Sequence, residues 1–366
     1  METNKIKQLH EFGQSIWLDF LDRNLINSGQ LQKLIEHDGL RGMTSNPAIF
    51  EKAISSSTAY DKQIMELAAT HQGNEAIFYE LAITDIQNAA DRFEPVFVQN
   101  QDGYVSLEVS PRLASDTNGT IKQAVELWRK LGRKNVMIKI PATIEGLPAI
   151  RKAISEGVNI NVTLLFGLER YEEVVDAYLS GLEDRVAAGQ PIDQIASVAS
   201  FFLSRIDVLV DPQLEAKGYS EMKGEVAIAC AKQAYQIYKR CFSSNRFLKL
   251  QAMGAKPQRV LWASTGTKDP LFSDIKYVEA LIGPETINTV PLETLEAYRD
   301  HGHPASRLEH DMDKAVFTLE QLQRIGIDLN VISTQLENEG IEKFNRPYDK
   351  LLQAIEEKKA HRIALT

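Results

Sequence analysis

Asn135-Val136-Met137-Ile138-Lys139-Ile140-Pro141 is a β-rich run with apolar residues on both of its alternating faces, interrupted by a single cation. A strand that carries Val, Met and Ile on both sides is covered on both sides, as in a parallel sheet or a closed barrel. Lys139 in such a strand is stripped of much of its water. Desolvation favours the neutral form of a lysine amine, and a neutral amine attacks a carbonyl carbon to form a Schiff base. The competing reading is a stem that snorkels out of the strand end to reach a surface carboxylate. The next strand, Asn159-Ile160-Asn161-Val162-Thr163-Leu164-Leu165-Phe166, places Asn159, Asn161 and Thr163 on one face and Ile160, Val162 and Leu164 on the other. Three hydrogen-bonding side chains facing a barrel mouth suit the hydroxyls of a sugar, although a half-exposed sheet with its polar face in water gives the same pattern.

Further β-rich runs fall at Ser15 to Phe20, Leu40 to Ser45, Tyr104 to Val109, Ile195 to Phe202, Arg259 to Ser264 and Thr286 to Val290, which makes eight strands in all. Helical periodicity separates them, for example Thr120 to Leu131 and Leu147 to Ser155. Eight alternations of strand and helix predict an α/β fold, a TIM (β/α)8 barrel. The chain of 366 residues exceeds the ~250 typical of that fold, and the excess lies in identifiable places. These are helical insertions at about 46–98 (with Glu66 to Ala69 and Ala76 to Ala90 as the clearest helices) and 212–257, and a helical C-terminal tail at 292–366, all within one domain spanning 1–366.

Fifty acidic residues against 41 basic ones give a net charge of −9, with no basic stretch, which argues against nucleic acid or an anionic membrane as partner. No apolar run approaches the ~18 residues of a membrane span, and Met1 to Leu9 lacks the apolar core of a signal peptide. A cytoplasmic protein is expected. Cys230 and Cys241 share one helical stretch and form no disulfide framework, and the seven histidines show no metal spacing, so neither metal nor cofactor is expected. Assembly into a homo-oligomer is compatible with the sequence.

Barrel active sites lie at the C-terminal ends of the strands. The polar residues there are Asp19, the run Met43-Thr44-Ser45-Asn46-Pro47, Glu108, Lys139, Asn161 with Thr163, Ser200 followed by loop residues Arg205 and Asp207, and Ser264 followed by Lys268. Each alone reads as a strand-end cap or a loop ion pair, whereas seven strands ending in polar groups read as a site. Two carboxylates near a buried lysine divide the labour of Schiff-base chemistry: one moves protons on substrate hydroxyls, and one assists the departure and return of water.

Together these residues resemble a transaldolase, of the longer subgroup found in many bacteria and in plants. The resemblance rests on Ile16 to Asp19, Met43 to Phe50, Val105 to Val109, Met137 to Thr143, Asn159 to Phe166 and Arg259 to Thr265. It implies transfer of a dihydroxyacetone unit from sedoheptulose 7-phosphate to glyceraldehyde 3-phosphate, giving erythrose 4-phosphate and fructose 6-phosphate in the non-oxidative pentose phosphate pathway. By the same resemblance Lys139 is the Schiff-base lysine, Asp19 the acid/base at the C4 hydroxyl, and Glu108 the carboxylate acting through a water held by Thr163. Asn46, Asn161 and Ser200 orient the dihydroxyacetone hydroxyls, and Arg205 binds phosphate. Ser264 closes strand seven, and shorter transaldolases carry a second phosphate-binding arginine two residues after that serine. Here Lys268 is the candidate replacement, against the alternative of a surface lysine before the turn Asp269-Pro270. The related fructose 6-phosphate aldolases carry a Tyr and a Gln where this chain has Phe202 and Glu108, which favours transfer. A non-catalytic sugar-phosphate binder would have no use for Lys139, Asp19 and Glu108 together.

Overall fold

Short apolar strands need partners along both edges and cover on both faces, and closing a sheet on itself supplies the edges. The computed structural model describes residues 4–70, 73–100 and 102–363. Its eight strands are β1 (Gln14–Asp19), β2 (Gly42–Thr44), β3 (Tyr104–Glu108), β4 (Val136–Pro141), β5 (Ile160–Leu165), β6 (Ser197–Phe202), β7 (Arg259–Ala263) and β8 (Thr286–Val290). They form a closed barrel in sequence order, every pair parallel and β8 returning to β1. All residues of β3 to β6 and of β8 are buried, as strands covered by helices outside and side chains inside must be.

Register fixes the lateral neighbours that carry the chemistry. Asp19 pairs with Thr44, Glu108 with Lys139, and Lys139 with Asn161, so three polar positions form a row across β3, β4 and β5. Strict alternation along β5 fails at its end. Leu164 adopts φ 54°, and the pairing with β6 shifts register between Val162 and Leu165. The helix Leu329–Ile363 passes this strand end, its Gly340 so close that an added Cβ would lie 2.9 Å from Leu164 Cδ2.

Helix boundaries follow local capping. Asp116 Oδ1 accepts the Gly119 N–H at 2.9 Å, so the helix expected from Thr120 begins at Thr117, and it ends at Leu131 before Gly132 with φ 57°. Residues 46–98 hold Pro47–Ser56, Asp61–Ala68 and Asn74–Asn100. The last outruns the expected Ala76 to Ala90 because Phe93, Val96 and Phe97 continue its apolar face. Arg205 and Asp207 do not lie in a loop: both sit in the first turn of Ser204–Ala216. The tail holds Leu292–His301, Met312–Arg324 and Leu329–Ile363, and residues 364–366 lie outside the described residues. No described helix is long and apolar enough to cross a membrane.

At the N-terminal end of the barrel, Asp102 gathers Ser15, the Trp17 indole N–H (3.1 Å) and the Arg259 guanidinium (3.3 Å). Trp17 in turn lies flat against Gly42 of β2, where an added Cβ would stand 2.5 Å from the indole ring. Overpacking a closed barrel against a rigid ring costs about 1–3 kcal/mol. Gly42→Ala is therefore expected to lower the unfolding free energy by that amount, read as a lower denaturant midpoint, whereas Gly73→Ala, which meets nothing within 4 Å among the described residues, leaves the midpoint close to the original. Equal midpoints for the two variants would contradict this packing.

Candidate active site

The C-terminal ends of the strands surround a cleft of about 180 Å³. Its wall includes Asp19 from β1, Thr44 from β2, Asn46 just beyond β2, Lys139, Thr163, Ser200 and Phe202, together with Arg205, Ser264 and Lys268. Lys139 stands near the floor, 5% exposed, its Nζ donating to the Ser45 carbonyl at 3.0 Å and lying 3.3 Å from Glu108 Oε2. Glu108 is itself buried, and its Oε2 makes no hydrogen bond of good geometry within the described residues. Thr163, fully buried on the adjacent strand, has an Oγ1 without a hydrogen-bond partner there. An orphan hydroxyl and an orphan carboxylate oxygen beside one amine are suited to hold a water between them.

Asp19 is placed by a chain of hydroxyls. Thr44 Oγ1 lies 2.7 Å from Asp19 Oδ1 and 2.7 Å from Thr289 Oγ1 of β8. Burial raises the carboxyl pKa of Asp19, opposed by the Lys139 charge and the Thr44 hydrogen bond. Burial likewise raises that of Glu108, again opposed by Lys139. Both carboxyls therefore hold a proton more readily than in water, as groups that must give and take protons do.

Arg205 projects from the first turn of its helix with its guanidinium carbon 5.7 Å from the centre of the Phe202 ring. Burial lowers its pKa from the usual arginine value, and its Nη1 is buried without a hydrogen-bond partner among the described residues. A desolvated guanidinium with an unused donor is suited to a phosphate dianion. Lys268 is exposed at the rim of the same cleft. Ser264 takes φ 55°, and its Oγ lies 2.9 Å from that of Ser204, which turns the chain sharply over the cleft.

Two placements differ from what alternation alone implies. Asn161 does not line the cleft: it lies beneath it, its Nδ2 donating to Ser106 Oγ at 3.0 Å and its Oδ1 accepting from Ser200 Oγ at 2.7 Å. Ser200 does reach the wall. Asn159 is at the other end of the barrel, bridging the Lys134 and Val136 carbonyls and the Ala196 N–H, so it serves the backbone and not a sugar. Asn46 caps the helix Pro47–Ser56 through its Oδ1, which accepts the Ile49 N–H at 3.1 Å, and it also lines the cleft.

Thr289 and Phe344 line the cleft without having been singled out from the sequence, and Thr44 lines it as part of a run already read as polar. Thr44 stands within the strand-two run, and Thr289 one residue before the end of β8, where strand-end position was the available signal. Phe344 comes from the helix Leu329–Ile363, so the tail closes one side of the cleft, a long-range contact with no local signature.

A family model described as transaldolase/fructose-6-phosphate aldolase matches residues 16–355. The chain is 47% identical over 360 residues to a transaldolase of Saccharopolyspora erythraea, covering 98% of each. It is 46% identical over 374 residues to transaldolase 2 of a Nostoc species, again covering 98% of each. The transaldolase of Thiobacillus denitrificans is 44% identical over 357 residues, 96% of this chain and 99% of that one.

A carboxyl whose folded pKa is raised contributes stability that is fully present below its unfolded pKa and lost as pH rises through the folded one. Removing the Lys139 charge takes away the main force opposing that rise in Asp19 and Glu108. Lys139→Met is therefore expected to lose stability with rising pH more steeply than the unaltered chain, seen in denaturant midpoints from acidic to neutral pH. A gap between the two chains that narrows with rising pH would contradict the pairing.

Proposed function

We infer that this chain, which belongs to the transaldolase/fructose-6-phosphate aldolase family, is a transaldolase. The observation that carries the reading is Lys139 Nζ, buried at 3.3 Å from Glu108 in a cleft that also holds Asp19 and the unpartnered Arg205 donor. Lys139 Nζ adds to the C2 carbonyl of a ketose phosphate such as sedoheptulose 7-phosphate or fructose 6-phosphate. Glu108, through a water held with Thr163, moves the proton that lets the carbinolamine lose water. Asp19 takes the proton of the C4 hydroxyl, the C3–C4 bond breaks, and its electron pair flows into the protonated imine. The aldose phosphate leaves, the three-carbon enamine adds to the acceptor aldehyde (erythrose 4-phosphate or glyceraldehyde 3-phosphate) by the reverse steps, and water releases the new ketose phosphate.

Asn46 and Ser200 orient the dihydroxyacetone hydroxyls, with Asn161 setting the Ser200 rotamer from below. Arg205 binds the substrate phosphate, Lys268 supplies a second positive charge at the rim, and Ser264 shapes the wall between them. Transfer, as opposed to simple aldol cleavage, requires the enamine to persist until an acceptor arrives. Phe202 and Phe344 add two aromatic rings to the cleft wall, and neither ring carries a hydroxyl that could protonate that carbon. Partners are small sugar phosphates, and the cytoplasm is the proposed location.

The test is product partitioning. With fructose 6-phosphate and erythrose 4-phosphate together, the enzyme is expected to form sedoheptulose 7-phosphate far faster than fructose 6-phosphate alone yields free dihydroxyacetone, and the opposite ranking would make it an aldolase. Glu108→Gln is expected to lower kcat by about 10²–10⁴-fold, the usual contribution of a general acid/base. Arg205→Ala is expected to raise KM for phosphorylated substrates by about 10–100-fold, the size of a lost charge-assisted hydrogen bond, with a smaller change in kcat. An unchanged KM would remove Arg205 from the phosphate site.

A further inference from the structure

On the outside of the barrel, a crevice of about 490 Å³ lies between the helix Val226–Phe242, the short helix Lys276–Glu279 and the start of Met312–Arg324. It shares no lining residue with the cleft. Four cations face it, Lys232, Lys276, Arg307 and Lys314, against two carboxylates, Glu225 and Asp311. Glu225 is spent on Lys314, at 2.7 Å. Among the described residues the other three cations have no carboxylate within ion-pair distance: Lys232 donates to the His310 carbonyl, Arg307 to the His303 carbonyl, and Lys276 Nζ stands 3.6 Å from the centre of the Phe272 ring.

Holding cations in this way has a cost that the fold accepts. Lys232 is 7% exposed, and burial lowers its pKa, a shift that a bound anion beside it would reverse. In this position Lys276 packs over Gly224, at φ 74°: a Cβ there would lie 2.0 Å from its Nζ. Asp311 caps the helix Met312–Arg324 in a left-handed conformation, φ 52°, with no side-chain hydrogen bond to the first turn, and Asp311, Lys314 and Ala315 at that helix start line the same crevice. Unpaired cations, a helix N-terminus and an apolar wall of Ile228, Ala280 and Ala315 converge on one volume.

We propose that this crevice is a second anion site, which binds the dianion of a phosphomonoester or of free phosphate away from the catalytic cleft. Charge-assisted hydrogen bonds from Lys276 and Arg307 supply the attraction, and Lys232 closes the floor.

Calorimetric titration of the full chain in chloride buffer tests this, with inorganic phosphate and with glycerol 3-phosphate as titrants. One binding event is expected to survive Arg205→Ala and to weaken by about tenfold or more, the loss of at least one charge-assisted contact, in Lys276→Gln/Arg307→Gln, while turnover in chloride stays unchanged. Tighter binding of the ester assigns the apolar wall to its organic part, and equal affinities assign free phosphate. Should the double variant fold poorly, Arg307→Gln alone gives a partial loss in the same direction. A double-variant isotherm that superposes on the original, or loss of every binding event in Arg205→Ala, would overturn the proposal.

Discussion

The contact on which the rest of the site depends is the one between Lys139 and Glu108, two ionisable groups that share the barrel interior at 3.3 Å. Taking such groups out of water costs several kcal/mol each unless they are paired and hydrogen-bonded. Here the closed barrel supplies the partners: β3 and β4 run parallel in a register that sets the two residues side by side, and the Ser45 carbonyl takes a further hydrogen bond. A lysine on an open sheet edge would turn to water. Inside this barrel its amine has few places to go besides an incoming carbonyl carbon.

Around that pair the strand ends are held in conformations that cost energy. Leu164 and Ser264 are both non-glycine residues with positive φ, one at the end of β5 and one just beyond β7. Such residues persist where surrounding packing over-determines them. The terminal helix packs on Leu164, and the Ser204 hydroxyl and N–H meet Ser264. The same surroundings position Thr163 next to Leu164, and Arg205 next to Ser204, so the strained turns aim the groups that face the cleft.

The barrel was legible in the sequence because it is written in local periodicity: short apolar runs at regular intervals, with helical spacing between them. Lys139 stood out because a cation in a doubly apolar run has no bland place in a soluble sheet except near an end. What alternation could not give was height along the barrel axis. Asn159 and Thr163 share a face, yet one ties backbone at the N-terminal end and the other meets the cleft. Nor could it give the bend at Leu164, which arises from pairing with β6 and from a helix some 180 residues later in the chain. Phe344 was invisible for the same reason: its helix looks ordinary until it docks. Arg205 was visible as a residue but not as the opening turn of a helix, since its segment carries no side-chain cap at Leu203.

The chemistry turns on a covalent imine between Lys139 and a ketose phosphate. Borohydride reduction of the protein mixed with fructose 6-phosphate, followed by peptide mass mapping, traps that imine. A stable three-carbon adduct on the peptide that contains Lys139 is the predicted result. An unmodified protein, or an adduct on another lysine, would contradict it.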